Sequence, residues 1–217
     1  MCAITVKVVR KSELEAKKWS GGVTTQLAIW PEGADYASRK FGWRISSAIV
    51  EEEESTFTAL PGVHRHLMLL DGGIELTHES TAPKKMKPLT DVAEFEGEWL
   101  TNSKGRCVDF NLMTTEGYAG SMAPVPAGGN SVMLRFSQSP LCWRGIYAVT
   151  DDLKIALDAP DSAYNETLDA GDFFLMSYTP NNCGEIFLTI SPAVMDVPAV
   201  SASVWVVPEG VDVVWDE

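Results

Sequence analysis

Two apolar strands carry, at alternate positions, the residues best suited to chemistry in this chain. In Trp43-Arg44-Ile45-Ser46-Ser47-Ala48, strand alternation turns Arg44, Ser46 and Ala48 one way and Trp43, Ile45 and Ser47 the other. In Asp109-Phe110-Asn111-Leu112-Met113, it separates Asp109, Asn111 and Met113 from Phe110 and Leu112. Each strand therefore has a polar row backed by a bulky apolar row. The polar rows either face solvent or line the mouth of a barrel. In the second case they bring together a guanidinium, a hydroxyl, an amide and a carboxylate, which is a binding site for a small polar molecule.

A third element, Trp19-Ser20-Gly21-Gly22-Val23-Thr24-Thr25, pairs a tight glycine turn with a β-branched run. It lacks the GKS or GKT ending and the following helix of a phosphate-binding loop, so it reads as a hairpin entry or as one wall of a pocket. His64 and His66 share a strand face and could hold a metal ion, and Asp71 superficially completes a cupin metal motif. The register opposes that reading. Asp71 falls in the turn Leu70-Asp71-Gly72, whereas the ligand acid of a metal-binding cupin belongs near His64 or Arg65, where a cation would meet the arginine. His78 supplies no obvious third ligand. No metal and no cofactor are expected, with His64 and His66 exposed or hydrogen-bonded instead. There is no GxSxG, HExxH, CxxC or GxGxxG, so no catalytic residue is assigned. The run Glu51 to Glu54 reads as a solvated loop.

The elements that must position these residues are strands. Apolar runs at Thr5 to Val9, Trp43 to Val50, Leu67 to Leu70, Cys107 to Met113, Phe173 to Tyr178, Ile186 to Ile190 and Val204 to Val207 recur between turn signals, the pattern of a sandwich or barrel. Ser12 to Trp19 could form a helical turn or two. The order also repeats. Asp71 to Leu76, Phe95 to Trp99 and Cys107 to Leu112 match Asp151 to Leu157, Leu168 to Phe174 and Gly184 to Ile190, with Gly97-Glu98 and Gly171-Asp172 as corresponding turns. This predicts two tandem small barrels: an N-terminal half (1–122) with the candidate pocket and a C-terminal half (131–217). The Pro- and Gly-rich stretch 123–130 would join them.

The chain has 217 residues, 45% of them hydrophobic, enough for a real core. Its 17 basic and 30 acidic side chains give a net charge of −13, which repels nucleic acid and anionic membrane surfaces. An anion site must then concentrate basic groups locally. Residues 1–10 read as a strand and not as a signal peptide, and no apolar run is long enough to cross a bilayer, so a cytoplasmic location is expected. The four cysteines, Cys2, Cys107, Cys142 and Cys183, are widely spaced and read as free buried thiols.

Four stretches in order, Trp19 to Thr24, Phe41 to Ala48, Phe57 to Arg65 and Asp109 to Thr114, resemble the HutD/Ves family. The resemblance implies an all-β bicupin fold of two cupin-like barrel or jelly-roll halves. It marks Trp19, Thr24, Arg44, Ser46, Arg65, Asp109 and Asn111 as pocket residues and transfers no catalytic residue. Some members are encoded with histidine-degradation enzymes and are thought to sense an intermediate such as formylglutamate or urocanate. The chain departs from the family pattern at Ser20, His64 and His66, where asparagine or alanine, an acid and a hydroxyl residue are usual.

The expected function is binding or regulation rather than catalysis. Arg44 or Arg65 would grip the carboxylate of a small anionic metabolite, and Ser46, Thr24 and Asn111 would fix its polar remainder against Trp19. Arg65 is the stronger anchor, paired with Asp109 in the empty protein. A metal-dependent cupin isomerase or dioxygenase using His64, His66 and an acid is one alternative. A structural or partner-binding β protein without a ligand is another. Neither a nucleic-acid nor a membrane partner is expected, and a homodimer is compatible with the sequence.

Overall fold

A computed structural model describes residues 3–79, 81–126, 130–133, 139–160, 162–180, 183, 185–191 and 196–208. The first strands are β1 (Ile4–Val9), β2 (Ala16–Trp19), β3 (Gly22–Trp30), β4 (Trp43–Val50), β5 (Glu54–Thr56), β6 (Val63–Gly72), β7 (Glu75–His78), β8 (Lys84–Lys85), β9 (Val92–Glu96), β10 (Thr101–Lys104) and β11 (Cys107–Thr115). There follow β12 (Tyr118–Val125), β13 (Asn130–Met133), β14 (Cys142–Ala148), β15 (Leu153–Ala159), β16 (Ser162–Leu168), β17 (Phe173–Tyr178), β18 (Phe187–Ser191) and β19 (Ala199–Val206). The expected helix at Ser12 to Trp19 is instead a 3-10 turn at Lys11–Glu13 followed by β2. The short charged run cannot bury a helical face, whereas as a strand it pairs with β3 from Ala16 opposite Thr25 to Trp19 opposite Gly22. Among the described residues no helix is long and apolar enough to cross a membrane.

The strands form two compact units, Leu14–Glu116 and a unit made of Met1–Glu13 with Gly117–Glu217. The first contains a six-stranded sheet of order β2-β3-β4-β11-β6-β9 and a four-stranded sheet of order β5-β10-β7-β8. Residues from both sheets, Leu67 and Leu69 from β6, Leu76 from β7 and Phe95 from β9, share one core. The second unit has a five-stranded sheet, β1-β17-β14-β19-β12, and a four-stranded one, β13-β18-β15-β16. Its core joins Ile146, Phe174 and Met176 to Leu153, Ile155, Leu157 and Leu188.

Adding eight to the strand numbers β4-β11-β6-β9 and β5-β10-β7-β8 yields β12-β19-β14-β17 and β13-β18-β15-β16. The fold is therefore a tandem duplication, with open jelly-roll sheets rather than closed barrels. The strand-by-strand match expected from sequence is correct at β7 and β15 and shifted elsewhere. Gly97-Glu98 follows β9, whereas Gly171-Asp172 precedes β17, and β11 corresponds to β19 rather than β18. Glycine-acid turns recur between strands of any kind and do not set the register.

The unit limits also differ from 1–122, 123–130 and 131–217. β1 pairs with β17 from Ile4 opposite Tyr178 to Val9 opposite Phe173, and β12 pairs with β19 from Tyr118 opposite Val206 to Val125 opposite Ala199. Pro124 sits inside β12 because β12 is an edge strand, where a missing N–H costs no ladder bond. Residues 127–129 lie outside the described residues. Cys107 and Cys142 are free and buried, as expected. Cys183 is disulfide-bonded, against the expectation of free thiols, and Cys2 lies outside the described residues.

Candidate functional site

Cross-strand register builds the site in three rows. Arg44 on β4 lies opposite Met113 on β11, which lies opposite Arg65 on β6. Gln26, Ser46, Asn111 and Leu67 make the second row, and Thr24, Ala48, Asp109 and Leu69 the third. These rows face a cavity of about 390 Å³, within the usual range for small-molecule sites. All seven residues singled out from sequence, Trp19, Thr24, Arg44, Ser46, Arg65, Asp109 and Asn111, line it. The opposite face carries Trp43, Ile45, Phe110 and Leu112, all buried. Both polar rows therefore point inward, and neither lies open to solvent.

The glycine pair places the Trp19 wall. A Cβ on Gly21 would stand 2.4 Å from the Trp19 ring, and one on Gly22 would stand 2.0 Å from the Ile49 carbonyl oxygen. Only glycine lets the indole fold back over the turn while the backbone presses against β4.

Arg44 is held from three sides. Its Nε donates to Gln26 Oε1 at 3.0 Å, one terminal nitrogen donates to Ser46 Oγ at 3.0 Å, and its Cζ sits 4.2 Å from the Tyr36 ring centroid. Tyr36 belongs to a 3-10 turn whose N-cap, Asp35, accepts from the Ala37 amide, and Arg39 covers the same ring at 4.1 Å. Arg65 is only 6% exposed, with its Cζ 4.9 Å from the Phe57 centroid and 5.1 Å from that of Phe95. The rings grip the guanidinium plane, while its Nε has no hydrogen-bond partner.

The expected Arg65–Asp109 ion pair is absent. Among the described residues no salt bridge joins these side chains, and Asp109 Oδ1 is buried without a partner. Their positions two rows apart explain the gap. Burial raises the Asp109 carboxyl to about 7, against the opposing pull of Arg65 and Arg44 and a backbone hydrogen bond with Ala48. Burial likewise lowers Arg65 to about 10, and Arg44 is lowered by burial too. Trp19 Nε1 and Asn111 Oδ1 are also buried without partners. Four of the lining residues thus present unsatisfied polar atoms, a costly arrangement in a finished core.

Cations outnumber acids around the cavity: Lys17, Lys18, Arg39, Arg44 and Arg65 against Glu15, Asp35 and Asp109. A chain of net charge −13 has therefore concentrated positive charge at one place. Sequence reasoning missed Gln26, Tyr36, Arg39 and Phe57. Gln26 was within reach, two residues from Thr24 on the same strand, although the β-bulge between Gln26 and Ala28 ends the alternation there. Nothing in local spacing places Tyr36 over Arg44.

A barrel metal of the kind held by metal-binding cupins does not fit this cavity, because its lining contains three guanidiniums and no histidine. His64 and His66 flank Arg65 on β6 and so face the other side of the sheet. His64 Nδ1 lies 2.9 Å from Glu96 Oε1, and burial, aided by His64, lowers His66 to about 4.

Tandem jelly-roll units, one enclosing a polar-lined cavity, define a cupin-like architecture. The chain belongs to the HutD family, whose model matches residues 11–187. It is similar to a conserved protein of unknown function, PA5104 from Pseudomonas aeruginosa PAO1, with TM-score 0.72 and 18% identity over 93% of this chain and 98% of that one. It is also similar to HutD from Pseudomonas fluorescens SBW25, with TM-score 0.69 and 19% identity over 92% and 98%. An oxalate decarboxylase shares the fold at TM-score 0.58 and 9% identity, over 91% of this chain and 76% of that one. No curated protein matches.

Proposed function

We propose that the Leu14–Glu116 unit binds a small carboxylate metabolite without catalysing a reaction on it, with Arg65 as the anchor. The observation that carries this reading is the set of buried polar atoms without partners, Arg65 Nε, Asp109 Oδ1, Asn111 Oδ1 and Trp19 Nε1, on residues around one cation-rich cavity. Arg44 already gives two of its five N–H donors to Gln26 and Ser46, whereas Arg65 has a buried Nε without a partner, so Arg65 is the guanidinium with more to give. A carboxylate taking paired N–H donors from Arg65 satisfies it by a charge-assisted contact in a water-poor site. Asn111 and Trp19 then read the polar remainder. Asp109, protonated below about pH 7, can donate to the ligand instead of repelling it.

Membership of the HutD family supports a role among histidine-degradation intermediates, sensed in the cytoplasm with neither nucleic acid nor a membrane as partner. A structure similar in fold is an oxalate decarboxylase in a formate complex, from Lactobacillus farciminis. The test is calorimetry with formate, oxalate, formylglutamate and urocanate on the full chain. Saturable binding of one of them, lost in Arg65→Ala, is expected. Binding unaffected by that substitution would sink the reading.

A further inference from the structure

On the face of β6 turned away from the cavity lies a second cluster that the carboxylate site does not use. Antiparallel pairing of β6 with β9 puts His64 directly opposite Glu96 and His66 directly opposite Glu94. Residues so paired have Cβ atoms about 4.5 to 5.5 Å apart, so two imidazoles and two carboxylates meet in one ladder. His66 Nε2 is 3.7 Å from Glu94 Oε2, and the His64 and His66 ring centroids are 5.0 Å apart, edge to face. One donor atom from each of His64, His66 and Glu94 lies within 4.8 Å of the others.

We infer that His64, His66 and Glu94 form a binding site for a divalent transition-metal ion of the zinc class, with Glu96 as the positioning residue for His64. Two imidazoles with one carboxylate suit zinc and its neighbours rather than magnesium or calcium, which take oxygen ligands. Around a tetrahedral zinc with bonds of about 2.0 to 2.1 Å the donor atoms stand roughly 3.4 Å apart. The His66–Glu94 separation of 3.7 Å is close to that spacing. Glu94, whose exposed side chain moves most easily of the three, can adjust its own distances to the two imidazoles. Glu96 holds His64 Nδ1 at 2.9 Å, which assigns Nε2 as the ligand atom, the carboxylate–histidine–metal arrangement that orients metal-binding imidazoles. The site joins β6 to β9 within one sheet and leaves a coordination position for water. Strand alternation alone separates it from the cavity, since Arg65 points one way and its two neighbours the other.

The experiment uses the full chain purified without an affinity tag, stripped with chelator and dialysed, then titrated with zinc chloride against a chromophoric competitor. One zinc per chain is expected, with the thermal midpoint rising as zinc is added. Glu94→Gln should weaken zinc at least tenfold and Glu96→Gln by about 10 to 100-fold. Glu75→Gln, a partly exposed carboxylate on β7, should leave it unchanged. The Glu94 and Glu96 side chains are partly exposed, so both variants should keep the zinc-free midpoint of the parent chain. Absence of saturable uptake by the parent chain overturns the proposal. So does uptake of equal affinity in Glu94→Gln, which would mark adventitious zinc on an acidic surface.

Discussion

The two units share a strand order and differ in what they put inside it. With Arg65 of β6 aligned on Arg144 of β14, each is flanked along the inner face by apolar residues, Leu67 and Leu69 in one case and Ile146 and Ala148 in the other, and the register within each unit gives the remaining equivalences. Beyond that arginine the correspondence ends. Arg44, Ser46, Asp109 and Asn111 have Ser121, Ala123, Ala199 and Ser201 in their places. The first unit also extends its sheet past β4 with β3 and β2, which bring Thr24, Gln26 and Trp19 over the interior. At the matching edge β12 is the last strand, and Ser121 and Ala123 are exposed. A polar-lined cavity in this fold therefore needs two additions to the common frame: polar side chains on the central strands and extra edge strands to roof them. One inward arginine does not suffice.

The comparison can be broken most severely from the filled side. Phe174→Ala removes a fully buried ring from the core of the second unit and should destabilise the protein by about 3 to 5 kcal/mol in denaturant unfolding. Carboxylate affinity, measured where the protein is folded, should be unchanged. Arg65→Ala should cost about 2 to 5 kcal/mol of carboxylate binding by calorimetry, whereas Arg144→Ala should cost none. Equal losses in the two variants would make the units functionally alike.

Asp109 sharpens the contrast through pH, since Ala199 holds its place in the second unit. Its native pKa of about 7 lies above that of the unfolded chain, so between about 4 and 7 the native state keeps a proton the unfolded state has lost. The associated stability is complete below about pH 4, falls as pH rises toward the native pKa of about 7, and levels off above it. Carboxylate affinity should fall in the same direction, about fivefold from pH 7 to 8, as the ionised carboxylate begins to repel the ligand. Asp109→Asn should flatten both profiles, and a persistent slope would show that another group titrates. Tyr36→Leu is the mildest change. Losing the ring beneath Arg44 should weaken binding by about 1 kcal/mol, through looser positioning of that guanidinium.

Most of this was legible where local periodicity decides the outcome. Alternation in Trp43 to Ala48 and Asp109 to Met113 separates inward polar from outward apolar residues, and β4 and β11 are central strands whose two faces both had to be specified. Duplication was readable as an order of elements but not as an alignment, because glycine-acid turns repeat without regard to topology. The unit limits were hidden for a different reason. Nothing in Ile4 to Val9 says that its partner is Phe173 to Tyr178, since pairing over that separation is a tertiary outcome. His64 and His66 were visible as a pair, but their glutamate partners come from a strand some thirty residues on, and only the β6–β9 register brings them alongside.

The discontinuity of the second unit sets an order in time. During synthesis at about 5 to 20 residues per second, Tyr178 follows its partner Ile4 out of the ribosome by roughly 10 to 35 s. Well before that interval ends every strand partner of the Leu14–Glu116 unit has been made, so the cavity-bearing sheets can close first. β1 meanwhile waits with its ladder groups unpaired and Ile4, Val6 and Val8 uncovered, and later packs them against the core of the second unit. An unpaired apolar strand held open for many seconds is an invitation to a neighbouring chain on the same polysome. Its charge is the safeguard: Lys7 within β1 and Arg10 and Lys11 just after it give the waiting segment a net positive charge that repels its own copies until β17 arrives.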